Sequence, residues 1–109
     1  MTSVKPSYLY AAKLVRVIDG DTVVLDVDLG WKIYVTMHVR LAGLNAPEIN
    51  TQEGKDAKTV VTDWLTGNLV LEGNGIDKYG RALGVIYSDA QTTSLNEMLL
   101  TTGKAAVYK

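Results

Sequence analysis

From Leu14 to Leu41 apolar and polar residues alternate: Val23, Leu25 and Val27 share one face, then Ile33, Val35, Met37, Val39 and Leu41 do, with polar residues at most positions between. A period of two describes strands that bury one face. The alternation breaks at "DGDT" (19–22), where Gly20 is free to take positive φ, and at "DLGW" (28–31), so three successive antiparallel strands are expected. In "TQEGKDAKTVVTDWLTGN" the spacing changes. Ala57, Val60, Val61, Trp64 and Leu65 recur at helical intervals, and Gly67 follows as a C′ residue, which predicts one amphipathic helix. "NLVLEG" and "RALGVIY" read as two further strands joined by the turn "NGIDKYG". Ser94-Leu95-Asn96-Glu97 is a capping-box pattern, so a second helix of about two turns runs to Gly103.

Three strands, a helix, two strands and a helix suit a mainly β, α+β domain: a five-stranded, partly open OB-fold β-barrel with two short α-helices, one plugging an end. The same order also describes other small α+β domains. At 109 residues the chain is expected to form one domain over 1–109, with 1–12 a flexible N-terminal segment. There are no cysteines, which removes disulfides, thiolate metal sites and thiol nucleophiles together. No apolar run is long enough to span a membrane, and the N-terminus lacks the order of a secretory signal. A cytoplasmic or virus-encoded intracellular protein is expected, although a processed secreted form would read the same. The net charge of −1 gives no overall basic field, so any phosphate site must be local.

Asp19 and Asp21 bracket Gly20 at a strand junction. Asp and Gly are ordinary turn formers, and a carboxylate held there also suits a hard cation, which takes oxygen ligands. Arg40 lies opposite Val39 and Leu41 and should point away from the core with Thr36 and His38. It is a solvated strand residue or, eight residues before Glu48 across a short Gly- and Pro-containing loop, half of a phosphate clamp. Arg81 follows Lys78 and Tyr79 on the next basic turn. That turn is a solvent-facing hairpin tip or a second cation for a phosphodiester, with Tyr79 a hydrogen-bond donor or stacking face. His38 has no companion for a zinc site and is read as structural. Trp64 belongs to the helix's buried stripe, and Trp31 is expected to cover a hairpin end.

"VIDGDTVVL", "VRLAGLNAPE", "DKYGRALGVIY" and "LNEMLLTTG" occur in the order and approximate spacing of the staphylococcal nuclease (thermonuclease) family, which the chain resembles from about Lys13 to Tyr108. The resemblance implies a calcium-dependent phosphodiesterase acting on DNA and RNA, cutting the 5′ side of the phosphate to leave 3′-phosphate ends. By that resemblance Arg40 and Arg81 would bind the scissile phosphate and Glu48 would position or deprotonate the attacking water. Asp21, Asn45 and the backbone carbonyl of Ala46 would ligate calcium or another divalent cation, with Asp19 behind them. Lys78 and Tyr79 would contact neighbouring phosphates. No membrane or protein partner is implied, and a monomer is expected.

Asn45 departs from the family pattern, which has an aspartate there. An amide oxygen still suits calcium, but the lost charge predicts a weak site, roughly 10⁻⁴ to 10⁻³ M. The C-terminal "AAVYK" lacks the longer tail and final helix of the best-known member, and Tyr108 matches only loosely. Two readings follow: a metal-dependent nuclease of low sequence specificity, or a catalytically weakened OB-fold module that binds single-stranded nucleic acid or a protein. A binder would need the arginines but not Glu48.

Overall fold

A computed structural model describes residues 8–108. The strands β1 (Leu9–Asp19), β2 (Thr22–Asp28) and β3 (Tyr34–Leu41) form the expected antiparallel meander. A two-residue strand, β4 (Leu44–Asn45), precedes α1 (Gln52–Trp64). Strands β5 (Leu69–Ile76) and β6 (Ala82–Ser88) follow, then α2 (Leu95–Thr101) and a second two-residue strand, β7 (Ala106–Val107). The five long strands close a barrel in the order β1-β2-β3-β6-β5, with β3 parallel to β6 and β5 returning to β1. This is the expected OB-fold, closed rather than partly open, because the N-terminal part of β1 pairs with β5. Leu9–Ala12 are therefore strand residues, although the expected flexible segment included them; residues 1–7 lie outside the described residues.

Val23, Leu25, Val27, Val39, Leu41, Leu71 and Ile86 fill the barrel, and Leu44, Val61, Leu95 and Leu99 close it, all at 3 % exposure or less. The helices form where capping and an apolar stripe coincide. Thr51 Oγ1 accepts the Gly54 N–H at 3.0 Å at the start of α1, and Ala57, Val61 and Trp64 face inward. Ser94 does the same for the Glu97 N–H at 3.0 Å in α2. Helix α1 ends at Trp64 with Leu65 as its cap, so Gly67, at φ 78°, lies one position beyond the expected C′ place. Gly103, at φ 74°, directly follows the cap of α2.

The apolar alternation of β3 overstates its burial. Ile33 and Val35 are exposed, Met37 is half-buried, and only Val39 and Leu41 are core. The cause is topological: β6 lies alongside β3 only from Val39 to Leu41, and the outer half of β3 has β2 as its strand partner. Trp31 covers nothing. It stands 93 % exposed at the hairpin tip.

Candidate active site

The site assembles where β1, β2 and β3 meet the loop leading into α1. At the β1–β2 tip the Asp21 N–H donates to Asp19 Oδ1 at 3.1 Å, an Asx turn. Gly20 does not use a positive φ there, contrary to the sequence expectation; its role is steric. A Cβ on Gly20 would lie 2.7 Å from the Ala46 Cβ and 2.8 Å from the Ala57 Cβ, so the tip packs directly under the loop and α1. The end of β3 is tied to the same tip by the Leu41 N–H donating to the Asp21 carbonyl at 2.8 Å.

Glu48 is positioned through its backbone. Its carbonyl accepts from the Thr51 N–H at 3.0 Å and from the Thr51 hydroxyl at 2.6 Å, and Thr51 in turn caps α1. Gly54 makes this approach possible, since a Cβ there would fall 1.8 Å from the Glu48 carbonyl oxygen. The Glu48 side chain is left exposed to the cleft.

Asp19, Asp21, Arg40, Glu48 and Arg81 line one open cleft of about 190 Å³, together with Thr22, Ala46 and Pro47. Arg40 Nη1 lies 3.1 Å from Asp21 Oδ2, and its Nη2 donates to the Leu44 carbonyl at 3.1 Å and to Asn45 Oδ1. The Ala46 N–H donates to Asp21 Oδ2 at 3.0 Å, and the Thr22 hydroxyl to Asp21 Oδ1 at 3.2 Å. Burial works to raise the Asp21 carboxyl, but hydrogen bonds from Asp19, Ala46 and Thr22 and the Arg40 charge outweigh it and hold Asp21 below the usual aspartate range. Asp19 is shifted the other way, first by burial and then by its hydrogen bond to and repulsion from Asp21. Of the two carboxyls, Asp21 is the better anion and Asp19 the better proton holder.

Lys78 and Tyr79 do not line the cleft. They sit on the exposed Asp77–Gly80 turn, connected to it through Arg81, whose guanidinium lies 5.4 Å from the Tyr79 ring centroid; the Lys78 ammonium lies 5.2 Å from the same ring. Asn45 lies beside the cleft on β4, where Asn45 pairs with Ala106 and Leu44 with Val107.

Two positioning residues, Asp77 and Asn96, were missed in the sequence. Asp77 accepts from Arg81 Nε at 2.8 Å and from the Tyr79 and Arg81 N–H groups, fixing the turn and its cation; its acid-then-base spacing of four was the available signal. Buried Asn96 accepts from the Ile86 N–H and donates to the Ala42 and Gly84 carbonyls, tying α2 to β6 and to the end of β3 where the chain turns toward β4. Its place inside the capping-box pattern was its only mark. Tyr108, only a loose match to the family pattern, places its ring 5.8 Å from the Arg40 guanidinium.

A family model described as "Staphylococcal nuclease homologue" matches residues 38–109. The chain is similar to "Micrococcal nuclease" of Shigella flexneri, 32 % identical over 108 residues that cover 92 % of this chain and 59 % of that protein. It is also similar to "Uncharacterized endonuclease" of Haemophilus influenzae, 33 % identical over 98 residues that cover 89 % of this chain and 52 % of that protein. The chain thus spans a little over half the length of these relatives. The family-model match over residues 38–109, on a closed OB barrel that gathers Asp19, Asp21, Arg40, Glu48 and Arg81 into one cleft, shows that the chain belongs to the staphylococcal nuclease homologue family.

Proposed function

We propose that this domain is a metal-dependent nuclease of low sequence specificity that hydrolyses phosphodiester bonds of DNA, RNA or both. The observation that carries the reading is that two guanidiniums, of Arg40 and Arg81, line the same cleft as the Glu48 carboxylate and the Asp19–Asp21 pair. A phosphodiester repels nucleophiles through its own charge, and a guanidinium fork offsets that charge at the non-bridging oxygens. A pure binding groove has use for the arginines and none for Glu48.

In the proposed reaction Glu48 orients a water and takes its proton as the water oxygen bonds to phosphorus. The P–O5′ bond breaks, the 5′-oxygen takes up a proton, and a 3′-phosphate remains. Arg40 and Arg81 hold the phosphate while negative charge gathers on its oxygens. Asp77 keeps the Arg81 fork aimed, and Tyr79 offers a face to a neighbouring base or sugar, with Lys78 beside it for an adjacent phosphate.

The donors suit a hard divalent cation, calcium foremost: the Asp21 carboxylate, the Asn45 amide oxygen and the Ala46 carbonyl are all oxygens, with Asp19 in support. Among the described residues no group of three or more His, Cys, Asp or Glu side chains gathers to hold a metal, so the charged ligands are few and weak binding is expected. When bound, such a cation supplies positive charge that offsets repulsion between nucleophile and phosphate.

The test is degradation of heat-denatured DNA by purified protein in millimolar calcium against EDTA, with product ends typed by whether phosphatase treatment is needed before a polymerase can extend them. Calcium-dependent degradation to 3′-phosphate ends supports the reading. DNA that is bound but intact across calcium concentrations would overturn it in favour of a non-catalytic OB-fold module for single-stranded nucleic acid.

A further inference from the structure

We propose that Arg40 is a latch on the cation site: its guanidinium holds the two side-chain oxygens, on Asp21 and Asn45, that would face a divalent cation, so that cation binding and release of Arg40 are one coupled event. The proposal rests on the nuclease reading in taking Asp21 and Asn45 as the cation's ligands.

The geometry is a fork with one prong hydrogen-bonded and the other at ion-pair distance. Nη1 sits 3.1 Å from Asp21 Oδ2, and Nη2 reaches Asn45 Oδ1 and, at 3.1 Å, the Leu44 carbonyl. The identity of residue 45 makes this exclusive. A carboxylate would present two oxygens, one for the arginine and one for a cation, whereas an amide has a single acceptor oxygen and a nitrogen that can only donate. A guanidinium and a dication brought onto that one oxygen repel one another at contact distance. Binding of one therefore displaces the other.

The latch is also built to open. Arg40 Nη1 is buried with no aligned hydrogen-bond acceptor, even though it lies within ion-pairing distance of Asp21, so the closed position leaves a donor unsatisfied. Arg81 provides the internal contrast. It shares the cleft, but its Nε is tied to Asp77, and it makes no hydrogen bond or ion pair with Asp21 or Asn45.

Calorimetric titration of calcium alone, without nucleic acid, into the wild type, Arg40→Lys, Arg40→Met and Arg81→Met tests this. Lysine keeps the charge but cannot fork two oxygens. The latch predicts calcium binding tighter on the order of tenfold in both Arg40 variants, about the weight of one charge-assisted hydrogen bond removed from the competing state, and a gain under about threefold in Arg81→Met. Equal gains in Arg40→Met and Arg81→Met would reduce the effect to lost positive charge and overturn the proposal. So would unchanged or weaker binding in the Arg40 variants, or no calcium binding by any of the proteins.

A second readout needs no variant. The chain has three arginines, Arg16, Arg40 and Arg81, so their side-chain ¹⁵N signals can be followed individually. Calcium should shift Arg40 from restrained to free rotation and leave Arg16 unmoved; an Arg40 signal indifferent to bound calcium overturns the latch. Neither measurement involves turnover, so intact DNA in the degradation assay would count against the nuclease reading alone.

Discussion

At the Thr22–Arg40 end of the β2–β3 ladder, β6 lies alongside β3, the loop to α1 folds over the strand ends, and Leu41 is 1 % exposed. At the Gly30–Ile33 end, about 20 Å away along the same two strands, Trp31 and Ile33 project into solvent and the outer strand halves border an apolar groove of about 530 Å³ near Tyr10, Leu29, Met37 and Ile76. The turn there is closed by the Ile33 N–H donating to the Gly30 carbonyl at 2.9 Å, with Trp31 at φ 58° and Lys32 at φ 63°. That is a type I′ geometry made from two residues that normally avoid it. The packed end has its backbone and side chains fixed by neighbours, and the candidate chemistry sits there. The open end keeps a costly turn that no packing rewards. The difference teaches that charged groups converge where close approach of backbones leaves no alternative positions.

The largest expected contrast is in core truncation. Leu41→Ala should destabilise the domain by about 2–5 kcal/mol, and Val35→Ala, on the same strand at the open end, by less than about 0.5 kcal/mol; urea unfolding of the two variants measures the gap. Comparable losses would break the distinction between the ends. Next comes Gly20→Ala. Its Cβ would meet two alanine Cβ atoms that have no rotamer to retreat to, so a loss of about 1–3 kcal/mol is expected, accompanied by displacement of Asp21 and Ala46. At the open end the sign reverses: replacing Trp31-Lys32 with Asn-Gly should stabilise by about 1–2 kcal/mol, because those residues accept positive φ. A stability loss in that double variant would mean that Trp31 packs against something in solution.

The smallest effect is a pH dependence at the Arg81 turn. Burial acts to raise Asp77, but the Arg81 and Tyr79 N–H groups and the Arg81 guanidinium outweigh it and hold the carboxyl below the ordinary aspartate range. With the folded pKa below the unfolded one, its contribution is present above about pH 4 and is lost as the pH falls through the lowered folded value. Asp77→Asn should therefore lower the melting temperature slightly at pH 6 and cease to matter near pH 2. An equal deficit at both pH values would show that charge is not what Asp77 supplies.

The sequence made the barrel legible wherever alternation and packing agree, as in β2, where Val23, Leu25 and Val27 are all fully buried. It misread Ile33 and Val35 because alternation records which face a residue takes, whereas burial depends on whether a parallel strand from far along the chain reaches that position. Glycine at 20 was visible as a turn former, but its actual function, surrendering a Cβ to two residues distant in sequence, leaves no local trace. The five charged residues of the cleft could be named in advance from motif fragments. Their mutual restraint could not: that Arg40 grips Asn45 and that Asp77 grips Arg81 are consequences of loop closure and of a turn, seen only once the backbone is placed.

The most direct test of the account compares initial rates of denatured-DNA hydrolysis, at saturating calcium, for Glu48→Gln and Trp31→Ala against the wild type. Chemistry confined to the packed end predicts a loss of about 10²-fold or more for Glu48→Gln, with Trp31→Ala within about twofold. A Glu48→Gln protein that cleaves at the wild-type rate, or a Trp31→Ala protein that loses activity as severely, would contradict it.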